Sequence, residues 1–566
     1  MTDTQTAGVH LVGGEMLKWS DAEGDSGRLP VQGEILGELL ATLVPSGARV
    51  LLAGPHDRSL VEQAVRLGGR VTCLLRSLAD ASDLAERLPK AEVWCGGLDK
   101  LDAAGAFDVV LALDGLDRLG TPDSAGLDWR VAMTRLGALV APGGTLAAAV
   151  ENELGVHRLV ETDRPELRQS NAWWQPADPW VAGPAAVDGA LGDADLRADQ
   201  WYAGYPRPAA PALLLGFESA EGCRPGSVPA RLLDAVCADG FGDRLMLGEP
   251  RELVAGAVRG ALAARLAPFW IVVARPAGGC PLPDALVLEG GPDPRWSAVS
   301  VLATEATGRW ARRPGGAVSA PRTIGRVVRD VSRLSGLVPE GSSVEHQLLA
   351  ACRRHDLPAV RTLLRGYAAW LAADPRLFAT FDNVGCDGDR FAMLDSGGEW
   401  AEPVPFEHAL ARVLRRFAAR LVSAGVPHPW PSGLDVHEIT AVLHAIAGHP
   451  ADPALLHQGI RLEAEILATL HSEAETERAR LETILAAGSV TEAIGRPSGH
   501  RELVAAHALL SEEVRFQRAR AAAAEKELRQ AGKQLAKVER TLCGVRGSAS
   551  FKVGRLLTAP LRLIRR

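Results

Sequence analysis

Lysine is missing from most of this chain. None occurs between Lys100 and Lys526, so arginine carries all the positive charge over that interval. Catalysis there that needs a lysine amine, as nucleophile or phosphate ligand, is excluded. Cysteine is sparse, with eight among 566 residues and no two at CxxC spacing. That argues against a zinc or thiol-redox site and leaves small buried hydrophobes. No run of eighteen apolar residues exists, which excludes a spanning helix. A net charge of -7 provides no basic field for nucleic acid. The first fourteen residues are polar, carry Asp3 and lack the basic and apolar regions of a signal peptide, so a cytoplasmic location is expected.

What is present is a globular composition, 47% hydrophobic and 23% charged. At about 150 residues per domain the length suggests three or four units. Residues 48–160 alternate short apolar runs with helical spacing. The runs are ARVLLA at 48–53, RVTCLL at 70–75, 91–95, FDVVLAL at 107–113 and 145–150. Such alternation implies a parallel, doubly wound sheet with ligands at the carboxyl ends of its strands, at the topological switch point.

The order VLLAG, RVTCLL, FDVVLAL and LVAPGGTLAAAVEN resembles class I S-adenosylmethionine-dependent methyltransferases. The segment APGGTLAAAVENELGVHRL at 141–159 is similar to those of bacterial surface-polysaccharide clusters, as are WYAGYPRPAAPALLL at 201–215 and FWIVVARP at 269–276. The resemblance implies a cofactor pocket around Gly54, with Asp57, Asp99 and Asp114 as candidate carboxylates. Leu52 stands where the family has its first acid, His56 and Arg58 where it has glycines, and Leu75 then Arg76 where an acid meets the ribose. His56 is a candidate base or a solvated loop residue. Glu151 and Asn152 either face a substrate cleft or cap the following helix.

After a Pro/Gly-rich stretch at 276–294, residues 295–304 have strand character and 320–373 read as largely helical. The segment FATFDNVGCDGDRFAMLDSGGEW at 378–400 resembles the catalytic segment of a protein-kinase-like fold. In that fold an Asn and a later Asp flank a hairpin and hold magnesium, roles that fall on Asn383 and Asp395. The position five residues before the Asn, where that fold has its catalytic Asp, is Phe378, and the nucleotide-binding lysine is absent. The resemblance therefore implies a degenerate scaffold or regulatory domain in which Mg-nucleotide is not expected, Asn383 and Asp395 being metal ligands only if it binds nucleotide; a helical domain with chance similarity stays open, Asn383 and Asp395 then being turn and strand-end residues.

From Leu503 to Leu542 a heptad seam runs through Leu510, Val514, Gln517, Leu528, Leu535 and Val538, which predicts a coiled coil or one long helix on its own chain. Residues 544–566 carry six basic side chains and no acid, interleaved with leucines and Phe551. That pattern fits an anionic membrane surface, with a frayed or protein-docking tail as the alternatives.

These readings divide the chain into an N-terminal segment (1–39), a Rossmann-like α/β methyltransferase domain (40–275), a linker (276–294), a kinase-like α+β domain (295–454), a helical and coiled-coil region (455–543) and a basic tail (544–566). The layout resembles O-antigen chain-terminating methyltransferase/kinases. It implies methyl transfer from S-adenosylmethionine to a cell-surface glycan or its precursor, at the inner membrane face. The alternative is a non-catalytic scaffold for glycan-assembly enzymes.

Overall fold

A computed structural model describes residues 5–161 and 181–486, apart from breaks at 7, 26–27, 125, 242–245, 277–278, 280, 292–294, 317–319, 432–433 and 471–474, with scattered helical positions between 534 and 544. Residues 1–499 form one compact unit and 500–566 a second.

The first unit opens with β1 (Gln5–Thr6), β2 (Val9–Gly13) and α1 (Glu34–Leu43). The alternating part is β3 (Arg49–Ala53), α2 (Arg58–Arg66), β4 (Arg70–Leu75), α3 (Leu78–Arg87), β5 (Glu92–Gly96), β6 (Phe107–Ala112), α4 (Trp129–Leu139) and β7 (Val140–Glu151). Then come α5 (Val156–Val160), α6 (Pro184–Gly192), β8 (Arg197–Tyr205), β9 (Leu213–Gly216), α7 (Phe217–Glu221), α8 (Val228–Asp239), α9 (Pro250–Arg259) and β10 (Phe269–Arg275). Strands β2 to β7 pair in parallel in the order β2-β5-β4-β3-β6-β7, and β10 is antiparallel between β7 and β8.

The apolar runs form central strands because both faces are covered. On β3, Val50 and Leu52 enter one core cluster while Leu51 and Ala53 enter another. Val109 and Leu111 on β6 divide from Val110 and Ala112 in the same way. Continuous hydrophobic strands are what a doubly covered sheet needs. The sheet is mixed rather than wholly parallel, since every strand from β10 onward pairs antiparallel.

The stretch expected as a linker at 276–294 contains β11 (Ala285–Glu289), which bridges β9 and β12 (Ala298–Thr304) and buries Ala285, Leu286 and Val287. Strands β12, β13 (Trp310–Pro314) and β16 (Gly336–Leu337) extend the same sheet, so it does not end at residue 275. Two small sheets follow, β14 (Arg322–Ile324) with β15 (Val327–Arg329) and β20 (Gly398–Trp400), and β17 (Ser342–Ser343) with β18 (Val384–Asp387) and β19 (Arg390–Met393). Residues 320–343 are therefore short strands, turns and one 3-10 turn (Val331–Leu334); α-helix begins only at α10 (Val344–Arg353) and α11 (Leu357–Ala373). The expected hairpin is β18–β19, turning at Gly388 with φ +61°. Helices α12 (Phe406–Ser423), α13 (Val436–Ala447) and α14 (Pro453–Leu470) complete a helical lobe around Leu364, Tyr367, Leu414 and Phe417. Helix α15 (Glu475–Ala486) packs on α14 through Ile460, Ala464 and Leu485. The heptad stretch and the basic tail lie almost wholly outside the described residues.

Candidate functional site

The strand order reverses between β3 and β6, which makes their carboxyl ends the switch point. Gly54 follows β3 with φ +90°, a left-handed conformation that favours glycine. A Cβ there would lie 3.3 Å from Leu119 Cδ2, a tight approach to that one methyl group.

His56 turns back over the strand ends and is only 9% exposed. Its Nδ1 donates to Gly54 O at 2.9 Å, and its Nε2 accepts from Leu113 N at 3.2 Å. Both ring nitrogens are engaged in the neutral form, and burial pushes the imidazole below its usual pKa. The residue ties β3 to β6 and is not a solvated loop side chain.

Two buried ion pairs occupy the rest of the crevice. Arg76, following β4, gives Nε and Nη2 to Asp21 at 2.7 Å each and is 2% exposed. Burial opposes ionisation of Asp21, but the hydrogen bond and charge of Arg76 win and hold its carboxyl below the usual range. Arg118, 1% exposed, gives Nε and Nη2 to Asp114, and Nη1 and Nη2 also donate to the carbonyls of Arg28 and Leu29. Asp114 also accepts from Val31 N at 2.8 Å and from Arg28. These contacts fasten residues 13–25 and 28–31 over the strand ends: Met16 exchanges backbone bonds with Arg76 and Leu78, and Asp57 N donates to Val31 O.

The other candidates are spread apart. Asp57 caps α2 through Ser59, and Asp99 binds Ser124 and Lys100. Glu151 accepts from His157 at 3.1 Å and Arg158 at 2.9 Å; burial resists, but the His157 bond and the surrounding cations hold it at about 2. Asn152 gives its amide to the carbonyls of Arg265 and Ala267 and accepts from Leu154 N, which pins the start of α5 to the loop before β10. Neither residue stands free at a substrate cleft. In the later lobe Asn383 binds Phe378 O and both backbone groups of Asp395, while the Asp395 carboxylate is held by Arg329. The structure thus brings Asn383 and Asp395 together but spends their polar atoms on each other and on Arg329. Among the described residues no group of three His, Cys, Asp or Glu could hold a metal.

An adenosyl ligand would need a carboxylate for its ribose, small residues over Gly54 and open space. The residues present do not fit: Arg76 stands where the carboxylate would be and is itself bound to Asp21, and the other buried polar groups at these strand ends, His56, Asp114 and Arg118, are already hydrogen-bonded. Sequence reading placed Gly54, His56 and Asp114 in one crevice but missed Asp21, Arg28, Arg76 and Arg118 as its filling. The one local signal was the Asp114–Arg118 pair, opposite charges four residues apart in the turn that follows β6.

No family model and no curated protein matches the chain. Solved structures that resemble it include an S-adenosylmethionine dependent methyltransferase from Mesorhizobium loti, at 16% identity over 42% of this chain and 95% of that one, TM-score 0.25. A Burkholderia thailandensis 1,6-didemethyltoxoflavin-N1-methyltransferase with bound S-adenosylhomocysteine matches at 18% identity over 34% and 76%, TM-score 0.21. The [4+2]-cyclase SpnF matches at 17% identity over 43% and 81%, TM-score 0.25.

Proposed function

We propose that this chain is a non-catalytic protein on a methyltransferase-type sheet, serving as a scaffold for surface-glycan assembly enzymes at the inner membrane face. One observation carries the non-catalytic reading: the switch-point crevice is closed by Asp21–Arg76, Asp114–Arg118 and a doubly bonded His56. An open α/β sheet binds ligands at that crevice. Here its polar groups satisfy one another and hold residues 13–25 and 28–31 across it. The glycan setting rests on the sequence resemblance at 141–159 and 201–215, and the membrane setting on the basic, apolar tail. Self-association through 503–542 would array several copies.

Calorimetric titration of the full chain with S-adenosylmethionine tests the reading. No heat is expected at millimolar cofactor. Binding tighter than ~100 µM, about -5.5 kcal/mol, would overturn it in favour of methyl transfer.

A further inference from the structure

A cavity of about 1320 Å³ lies away from the switch point, between α8 and α9, the strands β11 and β13, and the helical lobe. It exceeds the ~300–1,000 Å³ of an ordinary small-molecule pocket. The side chains that border it explain the gap. Ala235 on α8, Ala255 on α9 and Ala350 on α10 all line it, and each ends at a methyl group. Leu232, Leu288 and Leu470 continue the apolar wall. Ala235 is exposed and the other five are half-buried, so every one of them keeps accessible surface.

Helices α8 and α9 share no core cluster with the helical lobe. Ion pairs bridge the two sides instead: Arg251 with Glu345, Arg353 with Glu252, and Arg420 with Glu249. The charges of these bridges answer one another, and the apolar wall between them has no protein partner across the cavity.

Two arginines of the lining are accessible and unpaired. Arg259, in the last turn of α9, and Arg354, which ends α10, are both exposed and make no ion pair or side-chain hydrogen bond. His346 on α10 shows how near the two helices bring their cations. Burial pushes its imidazole down, and the charges of Arg353 and Arg259 push it further, against Asp234 and Glu252. The cavity thus combines accessible apolar surface, which gains by leaving water, with free cations where its wall reaches solvent.

We propose that this cavity takes up a single-chain anionic amphiphile, its hydrocarbon chain against Leu232, Ala235, Ala255 and Leu288 and its phosphate head at Arg259 and Arg354. An apolar ligand alone would leave the two guanidinium groups unanswered, and a bare anion would leave the wall in water. The site shares no residue with the switch-point network, so it stands or falls apart from the scaffold reading.

The test is titration of the full chain with decyl phosphate below its micelle concentration, beside butyl phosphate and decanol. Decyl phosphate is expected to bind at least about tenfold tighter than either, and less tightly as salt rises. Arg259→Gln with Arg354→Gln should weaken decyl phosphate about tenfold, the worth of two exposed ion pairs, and leave decanol unchanged. Ala255→Trp fills the cavity and should weaken decyl phosphate and decanol about tenfold or more; Ala235→Trp does the same from α8. The chain without residues 544–566 should bind as the full chain does, which separates this cavity from the basic tail. A single thermal unfolding transition checks that each variant is folded; where one is not, the remaining variants decide. Butyl phosphate as tight as decyl phosphate, unchanged affinity in the folded variants, binding that disappears with the tail, or no heat from decyl phosphate would overturn the proposal.

Discussion

Asp21 and Arg76 are about as buried as an ion pair can be, at 3% and 1% side-chain exposure. Such a pair earns little against an apolar replacement, yet removing one partner leaves the other charged in a low-dielectric site, at about 3–5 kcal/mol. Arg76→Met is therefore expected to lower unfolding free energy by that amount, measured in urea, and Asp21→Leu with Arg76→Met together by much less. A double variant as unstable as the single one would contradict this account. The pH response has the same origin. Asp21 is depressed in the fold, so its contribution is present above the unfolded carboxyl pKa of about 3.9 and disappears as pH falls through the folded value. His56, His346 and His444 are also depressed, by burial first. Each favours the fold above an unfolded pKa of about 6.5 and favours it less as pH falls below that. Stability should therefore drop on acidification below about pH 6.5. His56→Gln should flatten part of that slope; a slope identical to wild type would show that His56 titrates alike in both states.

At the scale of elements, β11 joins what the sequence presents as two domains. Leu286 is fully buried in the cluster that also holds Val50 and Ile271, while its neighbour Val287 packs into the next cluster. The first unit is expected to unfold in one calorimetric transition, and Leu286→Ala to lower its stability by about 2–5 kcal/mol without splitting the peak. Two resolved transitions would restore the two-domain view. The strands were legible because both-face burial leaves continuous apolar runs: 70–75 matches β4, and 48–53 and 107–113 match β3 and β6 to within a residue. The hairpin at Gly388 was legible from its turn residues. Strand β11 was not, because five residues between Gly/Pro-rich flanks read as loop until a partner edge is known. The filling of the crevice was hidden for a similar reason. Asp21 lies fifty-five residues before Arg76, and no local spacing announces so distant a pairing.

At the scale of the whole molecule, the basic tail and the heptads make one argument together. Six basic residues near an anionic leaflet contribute at most about 6 kcal/mol at ~1 kcal/mol each, and salt reduces that. A lone tail would bind weakly. If the heptads form the coiled coil their pattern predicts, several tails carried on it would bind as a set, because the first contact would raise the effective concentration of the others. The full chain is therefore expected to sediment as an oligomer and to pellet with vesicles containing phosphatidylglycerol, less so at high salt. Deleting 544–566 should abolish pelleting and leave the oligomer intact. Deleting 503–542 while keeping the tail should give a monomer whose vesicle affinity falls about 10²-fold or more. Equal pelleting without the tail would end the membrane assignment, and equal affinity without the heptads would show that the tail works singly.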